Sequence, residues 1–288
     1  MPLTVAGLKT NGIKRLKEAG IDDAEISARA ILQHILKKSP SELQFITGDT
    51  VTDDVVQDFY ELIERRCSHY PLQYLIGEVE FYNVKLKIDD RALIPRPETE
   101  ILVENVLTHL KKINYPYVLD IGTGSGNIAA ALAFNIDDIR ITAVDISRDA
   151  LELAYENAKH NNVSNKIEFI CGDVLKDSFW NTNKKYDAIV SNPPYVTQEE
   201  IASLQEEVKT YEPNIALVSS EDPLKFFKTI IKNSKNMLKP DGIVCFEVGA
   251  GQALNVEEFF YIFYENISVK RIKDLSGIER VVIGVFTN

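Results

Sequence analysis

Asp120-Ile121-Gly122-Thr123-Gly124-Ser125-Gly126-Asn127 follows the short apolar run 117–121 and leads directly into the helical run 128–134. Strand, glycine turn and helix in that order make a ligand-facing corner of an open α/β sheet, because glycine lets the backbone turn sharply and approach a ligand that side chains would exclude. The glycines stand at alternate positions, 122, 124 and 126, and Asn127 occupies the place where a dinucleotide fingerprint has its third glycine. That spacing weakens the case for a bound pyrophosphate.

Downstream, short apolar runs at 117–121, 141–144, 167–171, 188–190 and 243–248 alternate with helical stretches. Such alternation implies right-handed βαβ crossovers and a parallel sheet covered on both faces. The runs 269–275 and 280–286 are separated only by Ser276 to Glu279, too few residues for a crossover helix, so the last strand is expected antiparallel. Seven strands with one reversed near an edge resemble the class I S-adenosylmethionine-dependent methyltransferase fold more than a dinucleotide dehydrogenase.

Upstream the period is helical. Ile26, Ala30, Ile31 and Ile35 recur at three- and four-residue spacing, as do Val55, Phe59, Leu62, Ile63 and Arg66. Asp22 with Glu25, and Ser41 before a short apolar run, are the expected helix starts. Val79, Phe81, Val84, Leu86 and Ile88 then alternate around Asn83, the pattern of a β-hairpin. The segment 93–98 follows, stiffened by Pro95 and Pro97. The expected organisation is a helical docking domain over 1–73, a hairpin linker over 74–95 and a Rossmann-like catalytic domain over 96–288.

With 288 residues, 45% of them apolar, the chain can fill two cores. A net charge of −11 without a basic stripe gives no support to direct nucleic-acid binding and suits a basic protein partner. Cys67, Cys171 and Cys245 match no metal-ligand spacing. Neither a signal core in the first ten residues nor a membrane-length apolar run is found, so a reducing cytoplasm is the expected home.

Asp145, about 20 residues past the glycine turn at the end of the second sheet strand, can accept both ribose hydroxyls of a nucleoside. Asp173, ending the third strand, can accept from an adenine amino group, with Val174 against the ring. Each acid alone is equally readable as a cap of the helix that follows. Glycine turn and two acids at three successive strand ends make a nucleoside site, with Asp120 organising the loop or meeting an ammonium group.

The fourth strand delivers Asn192-Pro193-Pro194-Tyr195 to the same edge. Pro194 forces Pro193 out of the α region, and two prolines remove two N–H donors, leaving a rigid, acceptor-rich corner. An amide or aromatic-amine nitrogen is a poor nucleophile because its lone pair is delocalised. Acceptors on both of its hydrogens, here the Asn192 side-chain oxygen and the Pro193 carbonyl, hold it and favour lone-pair density on nitrogen. Tyr195 is placed to stack on the planar group and turn it toward a sulfonium methyl. Asn-Pro-Pro is also ordinary turn chemistry, but its position one strand beyond the nucleoside site argues for methylation of a planar nitrogen.

The chain closely resembles the release factor glutamine N5-methyltransferase family (PrmC or HemK) over nearly its full length. The likeness rests on the glycine loop, Asn192 to Tyr195, Pro71-Leu72-Gln73-Tyr74 to Gly77, Glu80-Phe81-Tyr82, Leu93 to Glu100, Tyr211-Glu212-Pro213 and Glu279-Arg280. The resemblance implies methyl transfer from S-adenosyl-L-methionine, with S-adenosyl-L-homocysteine as product, to the glutamine of the Gly-Gly-Gln motif in class 1 peptide chain release factors. It places cofactor contacts at Gly122, Thr123, Gly124, Ser125, Gly126, Asp145, Val174 and Asn192, to which the strand-end reading adds Asp173. Substrate contacts fall on Asn192, Pro193, Pro194 and Tyr195, with catalysis by Asn192, Pro193 and Tyr195 and no metal. The family often has a large aromatic where Val174 stands, so apolar contact replaces ring stacking there. Arg96 and Glu98 are implied to border the cofactor pocket, and Trp180 and an acidic helix expected over Glu199 to Glu207 to shape its rim.

Two other readings use the same residues. An exocyclic base amine is also a planar nitrogen, which admits a nucleic-acid methyltransferase acting on a flipped or unpaired base. A noncatalytic binding protein can retain the fold and use its helices as an interaction surface.

Overall fold

The computed structural model describes residues 3–219 and 222–286; positions 1–2 and 287–288, the outermost of the expected first and last segments, lie outside the described residues. The chain forms two compact units, Met1–Glu78 with Gln205–Tyr211, and Val79–Leu204 with Glu212–Asn288.

The first unit carries α1 (Val5–Glu18), α2 (Ala24–Leu36), α3 (Pro40–Phe45), α4 (Asp53–Cys67) and α5 (Leu72–Ile76). Leu8 and Leu16, Ile31 and Leu32, and Phe59 and Ile63 are fully buried and meet in one core. Gly12 lets α1 approach α4, since a Cβ there would lie 2.5 Å from the Phe59 ring.

Three local expectations are corrected. The buried stripe of α2 is Ala24, Ser27, Ala28, Ile31 and Leu32, while Ile26 is 55% exposed. The α3 cap is Ser39 rather than Ser41: Ser39 and Glu42 close a reciprocal capping box ahead of Pro40, whose fixed φ suits the first helical turn. Asp22 caps nothing, and Asp23 at the α2 cap position makes no capping bond. Its carboxylate serves the buried Arg66 guanidinium instead, at 2.9 Å. Arg66 also donates to Ser27 Oγ, the Tyr70 carbonyl and Glu207. A buried cation without acceptors is costly, which fixes the face α2 must turn inward.

The second unit begins within β1 (Glu78–Phe81), which pairs with β2 (Val84–Lys87) through a two-residue turn, with Tyr82 and Asn83 at φ 38° and 70°. Asn at positive φ is the residue such a turn favours. The outer edge of β2 is satisfied by side chains. Asn157 bonds both N–H and C=O of Lys87, and Asn161 both of Lys85. Asn157 in the helix Arg148–His160 and Asn161 at its C-cap thus stand in for a third strand.

The large sheet contains β3 (Tyr117–Ile121), β4 (Arg140–Asp145), β5 (Ile167–Cys171), β6 (Tyr186–Ser191), β7 (Leu238–Glu247), β8 (Ile267–Lys273) and β9 (Glu279–Phe286), ordered β5-β4-β3-β6-β7-β9-β8. Only β9 is reversed, pairing antiparallel with both neighbours one place in from the edge. Alternation along the strands divides the core: Val118, Ala143 and Val190 face one cluster with α6 (Pro97–Leu110), α7 (Asn127–Asn135) and the hairpin. Leu119, Val144 and Ile189 face the other, with Phe227, Ile230 and Phe260. This is the class I methyltransferase sheet.

Candidate active site

Parallel register brings four strand ends level. Ile121 pairs with Val144 on one side and Ser191 on the other, and Asp145 pairs with Cys171. Ser191 Oγ donates to the Ile121 carbonyl at 2.8 Å, stitching β6 to β3 one residue before Asn192 and Gly122. Sequence segments seventy residues apart therefore meet at one sheet edge.

Gly122, Gly124 and Gly126 all adopt positive φ (70°, 54° and 77°), which explains their alternate spacing. Gly126 is doubly constrained, because a Cβ there would lie 2.9 Å from Ala154 Cβ on α8 (Arg148–His160). Asp145 braces the loop: Oδ2 accepts the Gly124 N–H at 2.8 Å and Oδ1 accepts that of Ser147, the α8 cap, at 2.9 Å. The helix is capped by Ser147, not by Asp145. Each carboxylate oxygen retains a second lone-pair direction for a ligand hydroxyl. Burial pushes the Asp145 carboxyl above its ordinary range, opposed by its backbone partners.

A cavity of about 290 Å³ lies over these strand ends. Its wall includes the glycine loop at 122–125, Asp145, Asp173, Val174 and the corner Asn192, Pro193 and Pro194. Asp173 Oδ1 accepts from Leu175 N–H at 3.0 Å, an Asx-type turn that presents Val174 to the cavity. Two buried polar atoms at the glycine loop have no partner among the described residues, Asp120 Oδ1 and Ser125 Oγ. Asp120 Oδ2 accepts from Thr123 at 2.6 Å, and burial pushes its carboxyl up to about 7.

Asn192 is held by its nitrogen. Nδ2 donates to Thr99 Oγ1 at 3.3 Å, while Oδ1 and the Pro193 carbonyl have no donor among the described residues. Thr99 in turn donates to Glu247 Oε2 at 2.5 Å. Burial pushes the Glu247 carboxyl up to about 7.

Tyr195 is not among the residues that line the cavity. After two prolines the chain turns inward, and its ring packs on the second core cluster. Its hydroxyl points to Glu247 Oε1 at 3.4 Å, and its carbonyl accepts from Gln252. Burial and then the Glu247 charge push that hydroxyl well up.

Trp180 also lies behind the wall, donating to the Val174 carbonyl at 2.8 Å and so pinning the Val174 loop. The acidic stretch 199–207 is not one helix on the rim. A short 3-10 turn, Glu200–Ser203, is followed by a separate helix, α9 (Glu206–Tyr211), which belongs to the first unit, where Glu207 serves Arg66.

Arg96 does line the cavity, held by Glu212, whose buried carboxylate also accepts Ile94 N–H at 3.1 Å. Glu98 is absent from the wall. Thr99 and Glu247, which stand behind Asn192, carry no site motif in the sequence. An acid inside the apolar run Ile243-Val244-Cys245-Phe246-Glu247-Val248 was the available signal for Glu247.

Residues 8–77 match the model of the PrmC N-terminal domain, and residues 97–209 that of the methyltransferase small domain. The release factor glutamine methyltransferase of Thermodesulfovibrio yellowstonii is 41% identical over 258 residues, 89% of this chain and 90% of the relative. That of Streptococcus pneumoniae is 38% identical over 282 residues, 98% of each. A crystal structure of a methyltransferase from Pyrococcus furiosus shares the fold at 19% identity and a TM-score of 0.51, covering 72% of this chain and 91% of that one. Identity at this level over nearly the whole length, joined to a glycine-loop cavity with the asparagine corner on its wall, means that this chain belongs to the release factor glutamine methyltransferase family.

Proposed function

We propose that this methyltransferase takes the methyl group of S-adenosyl-L-methionine to the side-chain amide nitrogen of the glutamine in the Gly-Gly-Gln motif of class 1 peptide chain release factors. One observation carries the acceptor chemistry: the Asn192 amide is tied by its nitrogen and keeps its oxygen free on the cavity wall, beside the free Pro193 carbonyl. Two acceptors on a rigid corner suit a group with two N–H donors and reject one with none.

The residues present fit the cofactor. The backbone of 122–125 admits its amino-acid portion, Asp145 accepts from ribose, and Val174, Leu175 and Phe226 offer apolar surface to adenine. Asp173 stands beside Val174 as acceptor for the adenine amino group. Ser125 Oγ, partnerless and on the cavity wall, is an acceptor for an ammonium group, while fully buried Asp120 organises the loop through Thr123.

When bound, the cofactor supplies an electrophilic methyl on a sulfonium, leaving S-adenosyl-L-homocysteine as product. Asn192 Oδ1 and the Pro193 carbonyl accept the two amide hydrogens of glutamine, which holds the nitrogen in place and favours lone-pair density on it, facing the methyl carbon. Pro194 stiffens the corner, and Tyr195 supports it from behind. As the N–C bond forms, the nitrogen becomes strongly acidic and its proton passes to water.

The three cysteines Cys67, Cys171 and Cys245 are free, and no helix among the described residues is long and apolar enough to cross a membrane. Together with a translation-factor substrate, these features favour the cytoplasm as the working compartment.

Mass spectrometry of a release factor after incubation with enzyme and cofactor tests the assignment, using wild-type substrate and a form with the Gly-Gly-Gln glutamine replaced. A gain of one methyl in the wild-type substrate alone is expected. Transfer to RNA and not to release factor would establish the base-amine reading instead. Absence of cofactor binding by calorimetry would establish the noncatalytic one.

A further inference from the structure

A side-chain amide is nearly symmetric in shape, so the end it presents to a cavity is set by its hydrogen-bond partners. If Asn192 presented its NH2 to the substrate's NH2, two donors would face each other and the acceptor corner would be lost. Only the interaction on the far side of the amide decides between the two orientations, and that interaction is Thr99 Oγ1.

We propose that Thr99 and Glu247 are positioning residues that fix the orientation of the Asn192 amide, so that Oδ1 faces the substrate. The hydroxyl of Thr99 has one proton to give. Ionised Glu247 is acceptor only and takes that proton at Oε2, which leaves Thr99 Oγ1 as an acceptor toward Asn192. Asn192 must then turn its NH2 to Thr99 and its oxygen to the cavity. Thr99 and Glu247 are 1% and 2% exposed, so although Thr99 borders the cavity the pair is committed to protein partners.

Protonation of Glu247 reverses this logic. A proton on Oε2 would be donated to Thr99, whose own proton is then free for Asn192, and the amide is stabilised the wrong way round. The groups that bear on Glu247 come from three other elements. Glu98 on α6 raises its affinity for a proton, Arg280 on β9 lowers it, and the Tyr195 hydroxyl donates to Oε1 and lowers it. Burial is the largest influence and holds the carboxyl at about 7, within the working range of an enzyme. The inference rests on the glutamine reading only in taking Asn192 Oδ1 as the acceptor for the substrate's hydrogens.

The test is steady-state methylation of a purified release factor, with cofactor affinity measured separately by calorimetry. Thr99→Val keeps the shape and removes the hydroxyl; it should lower kcat about tenfold or more, the usual scale for one misplaced hydrogen-bonding group, and leave cofactor Kd within about twofold. Thr99→Ser restores the hydroxyl and should recover most of the rate. Glu247→Gln cannot be protonated, and with its NH2 given to the Tyr195 hydroxyl oxygen it keeps its own oxygen as acceptor toward Thr99. It should remain active at about pH 8 and lack the fall in kcat that the wild type should show below about pH 7.

Wild-type kcat in Thr99→Val, equal impairment of the Val and Ser variants, or an unchanged acid limb in Glu247→Gln would each overturn the proposal. The last would assign the limb to another group, with Asp120 the first candidate. A wild-type enzyme that does not methylate release factor at all sinks the glutamine reading, whatever the Thr99 variants do on the true acceptor.

Discussion

Asp145 Oδ2 accepts the backbone N–H of Gly124 at 2.8 Å, across 21 positions of sequence. The acid at the end of β4 therefore sets the shape of the glycine loop after β3 as well as offering oxygens to a ligand. Asp145→Ala removes a charge-assisted bond to Gly124, a second to Ser147 and the ribose acceptor together. Cofactor Kd should rise by about 100-fold or more, at about 1.5–3 kcal/mol for each hydrogen bond to a charged group. Calorimetry with cofactor alone measures this directly, and unchanged affinity would move the ribose contact elsewhere.

Asn192→Ala should behave oppositely, since the loop and acids that meet the cofactor do not depend on it. The expected loss is in kcat, about 100- to 1,000-fold, as for removal of one preorganised group at the reacting atoms. Cofactor affinity should stay within a few-fold. Near wild-type turnover of this variant would refute its role as acceptor.

Asp120 links loop chemistry to pH. Its folded value of about 7 lies above the ordinary 3.8, so the folded protein holds a proton that the unfolded chain has released. The sign follows from linkage: stability falls as pH rises through the window from about 4 to 7 and then levels off. Asp120→Asn keeps an acceptor for Thr123 and removes this penalty. Its Tm without cofactor should exceed that of the wild type at pH 8, and the gap should close as pH falls toward about 5. Cofactor affinity should stay within a few-fold, because Asp120 is fully buried off the cavity wall and asparagine keeps the acceptor for Thr123. Thermal unfolding across that range, with and without cofactor, reads both effects. A gap independent of pH would show that Asp120 is ionised in the folded protein even when acid.

Gly12→Ala sets two effects against each other. Alanine improves helix propensity by about 1 kcal/mol over glycine. A methyl 2.5 Å from the Phe59 ring is overpacking of a kind that costs about 1–3 kcal/mol. The clash should win, lowering the stability of the helical unit. Phe59→Leu should lessen or reverse the sign of the Gly12→Ala effect when the two are combined, which denaturant unfolding of the four variants would measure as a coupling. Stabilisation by Gly12→Ala in the wild-type background would show that the Phe59 ring moves freely aside.

The sequence by itself determined the element order, the reversed last strand, the hairpin turn and the chemical character of three strand-end loops. These features are written in local terms: period two or 3.6, glycines at 122, 124 and 126 that need positive φ, and prolines that remove donors. Helix starts were less legible, because Asp23 lies beside a plausible cap yet is claimed by Arg66, 43 residues away. The fate of the acidic stretch 199–207 was decided by the same guanidinium, through Glu207.

Only the tertiary structure decided that Tyr195 turns away from the cavity and that Asn192 is held through Thr99 and Glu247. Those three partners come from α6, the corner after β6 and the end of β7, separated by up to 148 residues. Nothing local in a threonine one turn into a helix, or a glutamate ending an apolar strand, says that the two will share a proton. Parallel sheet register puts them together, and burial then makes each the other's required partner.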